Sequence, residues 1–255
     1  MIAEFPLFLF TTLTGLSAGL YLALVCFKAS GIDAKATWFA TLGSLVLLGA
    51  GSLGVIGHLH HPERVLNAFS NFASSLTQEA LCAIAVGLVM LADLLVTAKM
   101  KKSVKWLRVT GGVLSALFIC VMAHAYFSVW GNAAWATWQT LVFFIVGDLA
   151  LGVAAALATI PALLDKKLTL GVCIVAQVLS AVAILLEGLH FGSNGFSANP
   201  YYGGCVLTVA TAVFVWIGLV RPRRRRALCV VAFVACFVGL AIARYAFYST
   251  GLYVL

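Results

Sequence analysis

A short polar stretch between two apolar runs holds the residue types that could accept protons. It extends from His58 to Glu79 and also contains His60, His61, Glu63 and Arg64, in a chain with only 9% charged residues. Histidine titrates near neutral pH, and a carboxylate at an interface can relay a proton outward. His58 and Glu79, at facing ends of consecutive helices, could therefore take the protons released when a lipid-soluble quinol is oxidised. Arg64 or Arg244 could orient the carboxylate or keep it ionised.

Each histidine also has a simpler interpretation. His58, His60 and His61 could be interfacial residues hydrated by water, and His124 and His190 could pack within a bundle. A haem b would need two histidines at matching depth on facing helices. His58, His124 and His190 could supply one pair, but the repeated pairs of a two-haem cytochrome are missing. We therefore expect no haem.

Cysteine spacing argues against other metal centres. The seven cysteines are scattered singly through apolar segments, with no CxxC spacing. Iron–sulfur clusters and structural zinc need closely spaced thiolates. We expect neither in this chain, and no metal site.

The composition predicts an all-α integral membrane protein. Of the 255 residues 63% are hydrophobic, and the mean hydropathy is +1.09. Eight apolar runs reach the roughly 20 residues that a bilayer requires. They lie near residues 5–27, 37–59, 80–98, 107–129, 141–163, 169–191, 203–221 and 227–251. With no internal repeat or boundary, we expect one integral-membrane domain over residues 1–255.

The basic residues predict how this bundle of eight transmembrane helices is oriented. All but two of the 16 lysines and arginines lie in alternate connections, including the run Arg223–Arg226. Because basic residues are retained on the cytoplasmic side, both termini and the 60–79 connection should lie outside, in the periplasm of a bacterium with two membranes. Because topology explains the arginine run, we expect no nucleic-acid partner. Arg64 and Arg244 do not fit the topology pattern and should have local roles.

The 60–79 connection also has an amphipathic pattern. Val65, Phe69, Phe72 and Leu76 fall on one helical face, and Pro62 suits a first helical turn. We expect an interfacial helix between helices 2 and 3.

Other polar residues lie within the spans. Charged groups there are costly unless paired, so Arg244 and Asp148 should share a polar pocket. Asp93 should be neutralised by Lys99 or another neighbour. Trp130, Trp135 and Trp138 are most simply an interfacial aromatic belt.

Three motifs together resemble the membrane anchor subunit of dimethyl sulfoxide reductase, the DmsC type. His58-Leu59, Pro62, Arg64, Asn67 and Gln78-Glu79 look like its His-Leu-Gly-x-Pro-x-Arg-x-x-Asn…Asn-Glu pattern. Arg244 to Tyr248 is similar to its Arg-x-x-Phe-Tyr in the last helix, and Trp138, Phe143-Phe144 and Gly147 resemble its helix 5 entry. The similarity spans nearly the whole chain. The departures are His60-His61, where the family has Gly-Ser, and Glu63, where it has a neutral residue.

The resemblance implies a haem-free anchor in a bacterial inner membrane that oxidises menaquinol in anaerobic respiration. It would pass electrons to a ferredoxin-like iron–sulfur subunit, and a molybdopterin catalytic subunit would carry out the terminal reduction. By position, His58 and Glu79 would be the proton acceptors, and Arg64, Arg244 and Tyr248 would contact the quinol. The same features leave open an anchor of a polysulfide, tetrathionate or selenate reductase. A small-solute transporter and a purely structural anchor are further alternatives.

Overall fold

The apolar runs form eight helices, each long and apolar enough to cross a membrane. The computed structural model describes residues 4–58 and 71–250, and for residues 56–58 it describes the backbone alone. The helices are α1 (Phe5–Cys26), α2 (Ala34–His58), α3 (Ser75–Met100), α4 (Lys105–Phe127), α5 (Trp138–Thr159), α6 (Lys167–Ser193), α7 (Asn199–Val220) and α8 (Arg225–Ser249). The described residues form no β-strand. The expected number of spans and the all-helical class are confirmed.

Helix α1 lies at the centre of the bundle and contacts α2, α4, α5 and α8. Gly15 and Gly19 face α5, where an added Cβ would collide with the carboxylate and the backbone oxygen of Asp148. Gly152 of α5 touches the backbone of Gly19 in the same way. Small residues spaced four apart let two helix backbones approach closely within a membrane. These glycines therefore bring α1 directly against the part of α5 that carries Asp148.

The connections rich in lysine and arginine all lie at one end of the bundle, which we call the basic end, and we call the opposite end the outer end. Assignment of the basic end to the cytoplasm remains a prediction. At the basic end, Asp93 is buried and pairs with Arg108 of α4, at 3.1 Å between Oδ2 and Nη2. Tyr21 donates a hydrogen bond to the same carboxylate oxygen at 3.2 Å. The neutralising neighbour is thus Arg108, not Lys99, because the first turn of α4 packs beside α3.

The connection between α4 and α5 folds over the outer end. Trp130 and Trp138 are exposed, as expected for an interfacial belt, but Trp135 is only 7% exposed. Its indole stacks on Phe247 and donates a hydrogen bond to the Thr250 hydroxyl at 3.1 Å. The expectation for Trp135 was therefore wrong, because the connection turns its side chain into the bundle.

The predicted interfacial helix can be checked only in part. Residues 59–70, which include Val65 and Phe69, lie outside the described residues. Asn71 to Ser74 form a turn, with Phe72 exposed, and Leu76 already belongs to α3. In this last part the prediction was wrong, because α3 begins at Ser75, earlier than the apolar run that starts near residue 80.

Candidate functional site

A groove of about 420 Å³ lies between α2 and α3 in the outer half of the bundle. Its volume is in the usual range for a small-molecule site. The wall is apolar apart from two side chains, Ser52 of α2 and Glu79 of α3. The lining residues are Phe10, Leu45, Leu48, Gly49, Ser52, Val55, Leu76, Glu79, Ala80, Ala83, Ile84 and Gly87. Of the residues that the structure describes, Glu79 is thus the only ionisable one in the wall.

Two features of α2 make room for this groove. An added Cβ at Gly49 would meet no atom within 4 Å, so the absence of a side chain there leaves open space. The Ser52 hydroxyl donates to the carbonyl of Leu48 at 2.8 Å, which holds it against its own helix. Its oxygen lone pairs remain able to accept a hydrogen bond from a ligand. The α2 wall therefore offers space and one weak polar contact, and the chemistry must come from α3.

The Glu79 carboxyl lies at the inner edge of the groove. It is in the first turns of α3 and is 5% exposed. Its Oε1 has no hydrogen-bond partner among the described residues. A buried acceptor without a partner is costly and is normally satisfied by water or a ligand. Glu79 therefore lines the groove with a carboxyl group of which one oxygen is buried and unpartnered among the described residues.

Behind Glu79 a set of hydroxyl groups leads into the bundle. The carboxyl is within electrostatic range of Tyr126 of α4 and Tyr248 of α8, whose hydroxyls interact with each other. The Tyr248 hydroxyl donates to Thr11 Oγ1 at 3.0 Å. Both tyrosine rings pack in the aromatic cluster that includes Phe144 and Phe247. Tyr126 and Thr11 were not singled out in the sequence, because tyrosine and threonine are common in apolar spans.

Arg244 closes this network deeper in the bundle. Its Nη1 donates to the carbonyl of Thr11 at 2.8 Å, and its Nη2 pairs with Asp148 Oδ1 at 2.5 Å. The guanidinium also lies over the ring of Phe144, 4.8 Å from the centroid. Both charged side chains are 0% exposed. The shared pocket expected for Arg244 and Asp148 is therefore an ion pair, and the partner of Arg244 is Asp148 rather than Glu79.

The five residues predicted for the quinol site do not all lie together in this groove. Glu79 lines the groove, whereas Arg244 and Tyr248 lie in the core behind it and do not line it. His58 is the last residue of α2, three positions beyond the groove residue Val55, and its side chain is not among those described. Arg64 lies outside the described residues.

The other histidines that the structure describes are not part of this groove. His124 is exposed on α4 and packs beside Phe127, and His190 of α6 bonds to Asn194. Neither lines the groove. Within residues 4–58 and 71–250, no three His, Cys, Asp or Glu side chains come together as a metal site.

A second buried carboxyl, Glu187 of α6, provides a comparison with Glu79. It is 0% exposed, and its Oε1 accepts a hydrogen bond from Thr140 at 3.0 Å. Its neighbour Tyr201 is equally buried, and neither residue lines the α2–α3 groove. Glu187 is therefore a second buried glutamate, also with one oxygen unpartnered among the described residues, but it does not line the α2–α3 groove.

A larger groove of about 890 Å³ lies at the outer end between α8 and the α6–α7 connection. Its wall includes Phe191, Phe196 and Tyr245, together with the hydroxyls of Ser249 and Thr250. None of the described residues that line it has a carboxylate, a histidine or a basic side chain. Such a surface can hold an apolar molecule, but nothing in its wall can take a proton near neutral pH.

The family of the chain is shown by comparison with known protein families. The sequence profile of the family described as DMSO reductase anchor subunit (DmsC) matches residues 1–252. No curated protein matches the sequence.

Proposed function

Because the chain belongs to the DMSO reductase anchor subunit (DmsC) family, we propose that the groove between α2 and α3 is the place where it oxidises menaquinol. Membership in the family makes the chain the membrane anchor of a DMSO reductase-type complex, which includes catalytic and iron–sulfur subunits. The proposal adds the substrate, the site and the route of the electrons.

A single observation carries the proposal. Among the described residues, Glu79 is the only ionisable side chain in the wall of an apolar groove, and one of its oxygens has no partner within that part of the chain. A quinol has an apolar tail and a ring with two hydroxyl groups, so it needs an apolar channel and an acceptor for each hydroxyl. The groove provides the apolar channel, and Glu79 supplies a hydrogen-bond acceptor for one of the hydroxyl groups. The larger groove beside α8 has no equivalent group.

The oxidation releases two protons and two electrons as both O–H bonds of the quinol break. Glu79 accepts the proton from the hydroxyl that it hydrogen-bonds. We assign the second proton to His58, at the outer end of the facing helix α2, as the sequence suggested. The electrons leave one at a time to the iron–sulfur partner at the outer end. We take this chain to carry no haem or cluster of its own, so the quinol ring and the partner must be close.

Arg244 and Tyr248 have a positioning role in this proposal. The Arg244–Asp148 pair is neutral overall, so it does not fix a net charge beside Glu79. Arg244 donates a hydrogen bond to the carbonyl of Thr11, and Tyr248 donates one to the Thr11 hydroxyl. Tyr248 also interacts with Tyr126. The network thereby fixes the wall behind Glu79. Choice of the terminal acceptor, whether an S-oxide, polysulfide, tetrathionate or selenate, belongs to the catalytic partner.

The transporter alternative fits the structure less well. Transporters commonly bind solutes near the bilayer midplane at interrupted helices. The eight helices of the described residues run without interruption, and the central Arg244–Asp148 pair lies in packed protein.

The test compares Glu79→Gln with Glu187→Gln in membranes that contain the whole complex. Glutamine keeps the size of the side chain but cannot accept a proton, and loss of a general base typically slows a reaction by roughly 10²- to 10⁴-fold. We expect Glu79→Gln to slow quinol-driven reduction by this factor. Reduction driven by an artificial dye, which donates to the partner subunits directly, should be unchanged.

Glu187→Gln is the matched control, since it makes the same change in a buried glutamate away from the groove. It should leave both activities near those of the wild type. A quinol-analogue inhibitor that is followed by fluorescence quenching should bind to the wild type and to Glu187→Gln, and about tenfold more weakly to Glu79→Gln. Equal quinol activity in the two variants would contradict the assignment of Glu79.

A further inference from the structure

A small basic pocket lies at the basic end of the same two helices that form the groove. It has a volume of about 350 Å³, and its wall consists of Ala34, Lys35, Trp38, Thr97, Ala98 and Lys101. Lys35 is in the first turn of α2, and Lys101 is the residue that ends α3. Since α2 and α3 run in opposite directions, these two ends meet at one membrane surface. Two lysines, one from each helix, therefore line the same pocket at the end of the α2–α3 seam.

The walls of this pocket are held in place by specific contacts. The Trp38 indole donates to the carbonyl of Leu94 at 3.2 Å, which joins α2 to α3. Lys101 adopts a left-handed backbone with φ of 54°, which ends α3 beside the pocket. Asp33, the nearest acid in sequence, uses its Oδ1 to accept the amide of Ala36 at the start of α2. The pocket is thus a built feature of the α2–α3 seam.

The two lysines are available to a ligand. Two arginines at this end already have protein partners, since Arg108 pairs with Asp93, and Arg225 pairs with Asp165 and donates to the carbonyl of Leu164. No carboxylate of the described residues pairs with Lys35 or Lys101. Lys99 and Lys102 add positive charge nearby without lining the pocket. The pocket therefore attracts an anion that can reach both ammonium groups.

We propose that this pocket binds the phosphate-bearing headgroup of an anionic phospholipid. Within one helical turn of the pocket, α2 and α3 expose Phe39 and Leu95, which offer an apolar surface to acyl chains. A free phosphate ion would gain nothing from that surface, whereas a phospholipid uses both parts. Basic pockets between transmembrane helices recognise anionic headgroups in this way. A lipid bound here bridges α2 and α3 at the end opposite to the groove, independently of any quinol chemistry.

The test measures phospholipid retained by the purified complex in native mass spectrometry. Wild type, Lys35→Gln/Lys101→Gln and the control Lys99→Gln/Lys102→Gln are each titrated with phosphatidylglycerol and with phosphatidylcholine. The control removes the same amount of charge from the basic end, from two lysines close to Lys101 in sequence that do not line the pocket. A hydrogen bond from a charged donor contributes at least about a tenfold change in affinity, so the pocket variant, which loses two such bonds, should bind phosphatidylglycerol about 100-fold more weakly. The control should stay within a few-fold of the wild type.

Three results would overturn the proposal. Equal weakening in the two double variants would show a diffuse attraction to the basic end. Equal binding of the two lipids to the wild type would show no selectivity for negative charge. Displacement of phosphatidylglycerol by millimolar inorganic phosphate would assign the pocket to the soluble ion instead.

Discussion

Gly49→Leu would fill the groove without disturbing the helix that carries it. An added Cβ at Gly49 meets no atom within 4 Å, so the leucine side chain would extend into the 420 Å³ space opposite Glu79. Forcing extra carbon atoms into an occupied apolar site costs about 1–3 kcal/mol. That corresponds to a loss of affinity of about 5- to 150-fold for the quinol. The helix itself should gain slightly, since leucine favours helix over glycine by nearly 1 kcal/mol.

The assay is quinol-driven reduction by the whole complex in membranes, with dye-driven reduction as the measure of assembly. We expect a raised KM for the quinol and an unchanged dye activity. Gly43→Leu is the matched control, because Gly43 lies on the same helix, also faces open space, and lines a different groove. If Gly49→Leu has the same KM as Gly43→Leu, the α2–α3 groove is not where the quinol binds.

Three further changes test the interior that supports the site. Asp148→Asn leaves the Arg244 charge buried without its partner, which should cost about 3–5 kcal/mol and reduce the amount of assembled complex in membranes; wild-type levels would contradict the ion pair. Gly19→Ala would push a Cβ into the α5 backbone, and a lower midpoint of thermal unfolding, with a loss of about 1–3 kcal/mol, is expected. Trp135→Phe removes the hydrogen bond to Thr250 but keeps the stacked ring, so it should lower the stability by only about 0.5–1.5 kcal/mol, as measured in the same unfolding experiment.

Much of the architecture followed from residue types alone. Eight apolar runs predicted eight helices, and the structure has eight at those places. The cost of isolated charges in a membrane predicted that Arg244 and Asp148 would share a pocket, and they form an ion pair. Both conclusions depend on free energies of transfer into lipid, which are properties of the residues and need no knowledge of neighbours.

Partner choice was less predictable. Lys99 was the nearest base to Asp93 along the chain, but Arg108 of the next helix is its partner. Trp135 resembles Trp130 in sequence, yet the connection turns it inward to Thr250. Which side chains meet across two helices depends on the rotation and depth of each helix, and a sequence of nearly uniform hydrophobicity leaves these undetermined.

For the candidate site, the sequence alone determined that Glu79 is a carboxylate at the start of a span, opposite the end of α2. Only the tertiary structure decided that Glu79 lines a groove, that Gly49 leaves open space beside it, and that Arg244 and Tyr248 lie in the core and bond to Thr11. The physical reason is that composition sets whether a residue enters the membrane. Packing between helices sets the space beside that residue and the partners it meets.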